Sequence, residues 1–400
     1  MRRLFVYELK KLVNRRIAWV SVVLAIFLIL LTVGMPLLGS YYVNGEKLGS
    51  NYEMFQIDKA YQEALDGRKI DTVLLREMQE AYGKVPLDEE QYSLTEEYEK
   101  YARPYSAIFN YVRQLTGMTG GPEVVSWAAS TDDLHAKRLE RQERRWEKHH
   151  LTEQEKAFWR VQEEKLENPV TFQYAEGYSV LLSAVYTIGL LAIFMVSICL
   201  AGHFPEEHVR RTDQLILSCK CGRREVYLAK FLAGVLFAFV MTLSFILVTF
   251  LAAYALYGPE GFSAAFQLIY PGSSCPICVG EAVLIAYLMV LFAATFMGVL
   301  VMMLSEVLRG SVATLAIAIG IILLPMLFSM PEDLRLLEQL WSYLPSDFVG
   351  CWSIFSVQTV VIFGRVLQAW QAVPVLYIVL GIAFFLIEKR VFVKYQVSGR

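Results

Sequence analysis

The chain has 400 residues, of which 56% are hydrophobic and only 19% charged, with a mean hydropathy of +0.41. That is too apolar for an ordinary soluble protein of this length and points to a membrane protein. The formal net charge of -2 says little until it is divided by position, because a bilayer sorts Lys and Arg by side.

In 1–16, Phe5, Leu9, Leu12 and Val13 form an apolar stripe beside Arg2, Arg3, Lys10, Lys11, Arg15 and Arg16. Those are the marks of an amphipathic helix anchored at a membrane interface. The uninterrupted apolar stretch 17–39 can cross a hydrocarbon core of about 30 Å at about 1.5 Å per residue. No small-residue cleavage site follows it, so it reads as an uncleaved anchor and the first span.

Polar insertion 40–177 carries 18 basic and 26 acidic residues and reads as a separate helical domain. Helices are expected over 51–81, 89–115, 132–149 and 153–166, with breaks at Pro86-Leu87 and Gly120-Gly121-Pro122. Thr152 and Glu155 have capping-box spacing. The sign-alternating run from Arg138 to Lys148 favours a solvated helix laced with salt bridges, against a docking surface for an anionic partner.

Five further apolar stretches follow at 178–201, 231–257, 282–305, 312–330 and 373–387, the last being short. Between them lie loops at 202–230, 258–281 and 306–311 and the segment 331–372, which is expected to form interfacial or re-entrant helices, and a tail covers 388–400. Alternate loops, beginning with 1–16, hold 17 basic and 7 acidic residues, and the others hold 20 and 32. By the positive-inside rule both termini are cytoplasmic and the 40–177 domain is extracytoplasmic. The expected fold is therefore an all-α integral membrane protein with six transmembrane helices, multi-pass in a bacterial cell membrane.

Several chemistries are disfavoured. The spans so drawn contain no Asp, Glu, Lys, Arg or His, the usual apparatus of proton- and ion-coupled carriers. Gly83-Lys84 is followed by Val, so the chain has no phosphate loop and does not hydrolyse ATP alone. The five histidines lack zinc-ligand spacing, and no metal, catalytic residue or nucleic-acid partner is expected. Cys275 and Cys278 read as an outward-facing disulfide or as two unpaired thiols.

The segment 203–218 starts with Pro205, Glu206 and Glu207, as helices do, and continues through Arg210, Arg211, Thr212, Leu215, Leu217 and Ser218. Arg223 and Lys230 lead into the third span. In this order and spacing Glu207, Thr212, Leu215, Leu217, Ser218, Arg223 and Lys230 resemble the first cytoplasmic loop of type-2 ABC exporter permeases. Arg211 stands where that family usually has Gly, and Lys220 where it often has Pro. The likeness extends to the N-terminal interface helix and to a subgroup with a large domain between spans one and two. It implies a permease coupled through Glu206, Glu207, Arg210, Arg211, Thr212, Leu215, Leu217, Ser218 and Arg223 to an ABC ATPase. Two ATPase copies, with ATP and Mg bound there and not on this chain, would serve two permease chains exporting an amphipathic peptide or lipid-like substrate. The rival readings are a ligand sensor that relays binding by its outer domain to a cytoplasmic partner, and a membrane enzyme acting at the outer face.

Overall fold

A computed structural model of the chain describes residues 2–87, 91–118, 120–127, 131–209, 224–331 and 334–394. Helix α1 (Arg2–Val13) is followed by α2 (Arg16–Gly34), and strands β1 (Ser40–Val43) and β2 (Glu46–Ser50) open the polar insertion. The insertion continues with α3 (Asn51–Leu65), α4 (Thr72–Tyr82), α5 (Ser106–Thr116), α6 (Gly121–Trp127), α7 (Thr131–Lys148) and α8 (Glu153–Glu163). Then come α9 (Glu176–Leu200), the single turn α10 (Pro205–Val209), α11 (Arg224–Tyr257), α12 (Val279–Leu308) and α13 (Ser311–Leu327). Short helices α14 (Arg335–Ser342), α15 (Pro345–Phe348) and α16 (Cys351–Ile354), strands β3 (Thr359–Ile362) and β4 (Arg365–Gln368), and α17 (Ala369–Lys394) complete the chain.

Five helices are long and apolar enough to cross a membrane: Arg16–Leu37, Glu176–Glu207, Arg224–Tyr257, Val279–Leu308 and Ala369–Lys394. The sixth expected crossing, α13, is a shorter apolar helix of 17 residues with Pro325 near its end. The short member is thus α13 and not the last. Glu388, Lys389 and Arg390 close the apolar run of 373–387, yet α17 continues through them, because long charged residues are good helix formers and need not end a helix.

The chain is mostly helical, but it is not all-α as expected. β1 pairs with β2, and β3 with β4, as antiparallel hairpins. Both turns need two consecutive residues at positive φ: Asn44 (49°) with Gly45 (84°), and Phe363 (50°) with Gly364 (78°). Asn-Gly supplies that backbone cheaply, so the first hairpin was signalled by the sequence and overlooked. The expected helix over 51–81 is also two helices. Gly67 turns the chain at φ 77°, and Asp71 caps α4 by accepting from the N–H groups of Val73 and Leu74. Over 89–115 only α5 is α-helical among the described residues, preceded by a π-turn (Tyr98–Ala102) and a 3-10 turn containing Pro104. The Thr152–Glu155 capping box is formed.

The long helices pack around α12, which contacts α9, α11, α13 and α17. Between apolar helices in a membrane the attraction comes from close contact and a few hydrogen bonds, not from expulsion of water. The structure uses both. Helix α2 buries the small-residue stripe Ala18, Ser21 and Ala25, continued by Ile29 and Val33. Tyrosine hydroxyls on one element donate to backbone carbonyls on another: Tyr287 to Leu181 (3.0 Å), Tyr257 to Val33 (2.9 Å), Tyr227 to Phe385 (2.9 Å) and Tyr377 to Tyr343 (2.9 Å). Tyr377 also stacks on Phe296, ring centroids 4.4 Å apart.

At one end of this bundle, the far end, residues 345–357 are tucked in, with Phe348, Val349 and Ile354 fully buried. Gly189 of α9 permits this: a Cβ there would stand 2.6 Å from Cβ of Val349. The same end carries the polar insertion, which has its own core around Leu74, Leu75, Met78, Tyr82, Ile108 and Val112. Helix α7 is less solvated than its alternating charges implied. Arg138 is buried, bonded through Nε to Glu163 (3.1 Å) and through Nη2 to the Ser273 carbonyl (2.7 Å). Arg141 reaches the Leu115 carbonyl (2.8 Å), and Arg145 the Gly272 carbonyl (2.8 Å). Only the outward side, with Lys137–Glu140 and Glu140–Arg144, is the expected surface lattice.

Glu155, fully buried, fastens the insertion to the 334–368 stretch. Its carboxylate accepts from Arg335, from the Thr359 hydroxyl (2.7 Å) and from the Thr152 backbone (2.8 Å). Burial alone would raise its pKa, but the bonds from Arg335, Thr359 and Thr152 outweigh it and hold the carboxyl below its ordinary value.

Two outcomes are expected. Gly189→Val should displace Val349 and cost about 1–3 kcal/mol as overpacking, read as a lower thermal midpoint in detergent. Gly320→Ala, which meets nothing within 4 Å, should leave the midpoint unchanged. Because the Glu155 pKa is depressed on folding, its contribution is present above the ordinary carboxylate range and is lost as pH falls through its lowered value. Acidification should therefore raise hydrogen exchange in 335–342, and an identical acid response in Glu155→Gln would show that another group is responsible.

Candidate functional site

The other end of the bundle, the near end, gathers residues 201–207, which follow α9, against α1 and the start of α11. After α9 the chain turns at Gly202 and His203, and Pro205 opens α10 with Glu206 and Glu207 in its first turn. This brings both carboxylates back against α1 and the first turns of α11. Glu207 Oε1 lies 2.8 Å from Nζ of Lys230 on α11 and 3.0 Å from Nζ of Lys11 on α1. Lys11 is also 2.8 Å from Glu8, one helical turn back. Glu206 pairs with Arg15, whose guanidinium further donates to the carbonyls of Gly202 (3.3 Å) and Cys199 (3.4 Å) at the end of α9. Arg15 thereby satisfies the Cys199 carbonyl, which the helix terminus leaves without an intrahelical partner.

Lys230 is 1% exposed, and its ammonium also lies 5.3 Å over the Phe204 ring. His203, fully enclosed, has Nε2 3.1 Å from the Lys230 carbonyl. Phe204 packs on Tyr227 and Phe392, which ties the same turn to α17. Glu306 on α12 and Glu388 on α17 are both 0% exposed and within electrostatic reach of each other, with Lys230 also acting on Glu388. An open cleft of about 710 Å³ runs along the assembly, lined by Tyr7, Asn14, Arg16 and Ile17 besides the charged groups.

The expected site residues are therefore placed as follows. Glu206 and Glu207 face the chain's own cations. Arg210, Arg211, Thr212, Leu215, Leu217, Ser218 and Arg223 lie outside the described residues. Of the basic residues expected at the membrane interface, Arg2, Arg3, Lys10 and Arg16 are exposed, Lys11 and Arg15 are half-buried and hold carboxylates, and Lys230 is buried. Cys275 and Cys278 are both free thiols: Cys278 caps α12, and Cys275 is buried with Sγ 3.5 Å from Oε1 of Gln368. Burial pushes the Cys275 thiol up to about 11, which disfavours the thiolate needed for exchange.

Sequence reasoning missed Glu8, His203, Tyr227, Glu306 and Glu388. Glu8 was findable from its i, i+3 spacing to Lys11. Glu306 and Glu388 were passed over because the expected spans were cut at the first charged residue, whereas the helices run on and bury them.

Among the described residues no group of three or more His, Cys, Asp or Glu is placed to hold a metal. Ion pairs that alternate in sign join three elements, α1, the 203–207 turn and α11. The Lys11 ammonium, lowered by burial but raised further by Glu8 and Glu207, has a pKa above its ordinary value, and Lys230 and Lys11 hold the Glu207 carboxyl below its own despite burial, so the pair is lost on the alkaline side as Lys11 deprotonates and on the acid side as Glu207 is protonated.

The family model described as ABC-2 family transporter protein matches residues 3–331. No curated protein and no solved structure matched the chain.

Removing one partner of the buried pair leaves the other charge uncompensated, at about 3–5 kcal/mol. Glu207→Gln and Lys230→Met should each lower the thermal midpoint, and the double variant should lose less than their sum, by at least about 1 kcal/mol. Additive losses would mean that the two groups do not interact.

Proposed function

The chain belongs to the ABC-2 family of transporter proteins, and on that footing we propose that it drives outward movement of an amphipathic peptide or lipid-like substrate when pushed by its ATPase through residues 206–218. It is a multi-pass membrane protein and a permease subunit that works with a separate ATPase. ATP and Mg²⁺ bind to that partner. Two copies of the chain, or this chain and a similar one, pair on two ATPase subunits in a bacterial cell membrane. Both termini and the near end face the cytoplasm, and the 40–177 domain lies outside, with α13 as the fifth of six crossings.

The observation that carries this reading is the Lys11–Glu207–Lys230 lock. A soluble motor needs a grip on the membrane helices, and the turn preceding 208–223 is bound to α1, α9, α11 and α17 at once. The charge division supports the orientation, since the near-end segments are rich in Lys and Arg and the 40–177 insertion is acidic. The mid-sections of the long helices carry no Asp, Glu, Lys, Arg or His, which suits an amphipathic cargo better than a small ion.

The test is a cross-link. Thr212→Cys, in a chain otherwise free of cysteine, should join to the co-expressed ATPase subunit in membranes, and Lys148→Cys on the outer body should not. Equal cross-linking from both positions, or none from Thr212→Cys, would remove 206–218 from the coupling role.

A further inference from the structure

Helix α1 sorts its charges by side. Arg2, Val6, Lys10 and Val13 stand at i, i+4, i+8 and i+11, which puts them on one face of the helix, with Arg3 and Tyr7 along its edge. All six are exposed. The opposite face holds Leu12, 1% exposed, and Glu8, 4% exposed, and packs on α11. Glu8 is the one acid of residues 2–13, and Lys11 binds it at 2.8 Å. The outward face therefore carries three cations and no anion.

Exposed cations are ordinary where a neighbouring acid or water answers them. On the outward side of α7, Lys137 and Arg144 share Glu140, and on α8 Lys156 pairs with Glu153. Arg2, Arg3 and Lys10 make no such pair among the described residues, nor does Arg16 at the start of α2. Two further observations say what faces them. The cations alternate with large apolar side chains left open: Val6 is 52% exposed, Tyr7 60% and Val13 40%. A face turned only to water gains nothing from these, and one sunk in hydrocarbon would not hold two arginines and a lysine. Moreover, only Asn14 and Arg15 separate α1 from α2, a helix long and apolar enough to cross a membrane, and the exposed Ile17, Val20, Leu24 and Phe27 of α2 continue the apolar surface. Connectivity thus holds α1 at the level where headgroups give way to acyl chains.

We propose that the outward face of α1 is a binding surface for anionic phospholipids, with Arg2, Arg3 and Lys10 against the headgroup phosphates and Val6, Tyr7 and Val13 among the upper parts of the acyl chains. This narrows the interface set expected from sequence, since Lys11, Arg15 and Lys230 are spent on the chain's own carboxylates. The surface prefers an anionic lipid to a zwitterionic one, whose ammonium opposes the same three cations. The assignment rests on α2 crossing a bilayer and not on the permease reading, so the two stand or fall separately.

The measurement is lipid selectivity by electron spin resonance. The full-length chain, without any ATPase, is reconstituted in phosphatidylcholine vesicles holding either spin-labelled phosphatidylglycerol or spin-labelled phosphatidylcholine, and the motionally restricted fractions are compared. The parent should restrict the phosphatidylglycerol label about threefold more strongly. In about 1 M salt, where the screening length is about 3 Å, that ratio should fall toward one. Arg2→Gln, Arg3→Gln and Lys10→Gln together should remove the preference while leaving the thermal midpoint in phosphatidylcholine at the parent's value. Arg390→Gln with Lys394→Gln, two exposed cations near the end of α17, should keep it. A parent without preference, a preference indifferent to salt or kept by the α1 triple variant, or one lost equally in the α17 pair would overturn the assignment.

Discussion

The structure turns on an ammonium group that has been taken out of water. Lys230 sits almost wholly enclosed near the start of α11, and an isolated charge in that position would cost several kcal/mol. It is tolerated because Glu207 lies 2.8 Å away, and Glu207 is held there because α10 folds back beneath α1, where Lys11 supplies the second cation. Each member therefore fixes the position of the next. The 203–207 turn is thereby tied to α1 and α11 with Phe204 as its one large apolar side chain.

The far end achieves the same rigidity by other means. There the carboxylate of Glu155 is enclosed by an arginine, two hydroxyls and a backbone N–H, and Arg138 is enclosed by a glutamate and backbone carbonyls. In both cases a charge is buried with its full set of partners, which makes the contact specific in direction as well as strong. Helix α9 spans the distance between the two ends. It begins at Glu176 and ends where Arg15 bonds the Cys199 carbonyl, and it is packed on several sides over that length, so it moves as one body if it moves at all.

The buried acids Glu306 and Glu388 alter one inference from composition. Spans drawn to avoid charge seem free of ionisable groups, yet three such groups lie at the near ends of α11, α12 and α17. They stand at the level of the ion-pair lock and not in the middle of the helices. Within the long helices the buried charge thus lies at the near end, beside the 203–207 turn.

The sequence by itself determined the membrane character, five of the crossings, the capped start of α8 and the resemblance to an ABC permease, because these depend on local quantities: unbroken apolar length, a capping pair three residues apart, and residue order within one loop. It also carried, unread, the Asn44-Gly45 turn. Only the tertiary structure decided that Glu206 and Glu207 face the chain's own cations, and that Arg138 and Arg145 grip a loop some 130 residues away. A charge pattern along one helix is the same whether its partner is water or a distant carbonyl. The choice is made by what packs against that face, and no stretch of sequence holds that by itself.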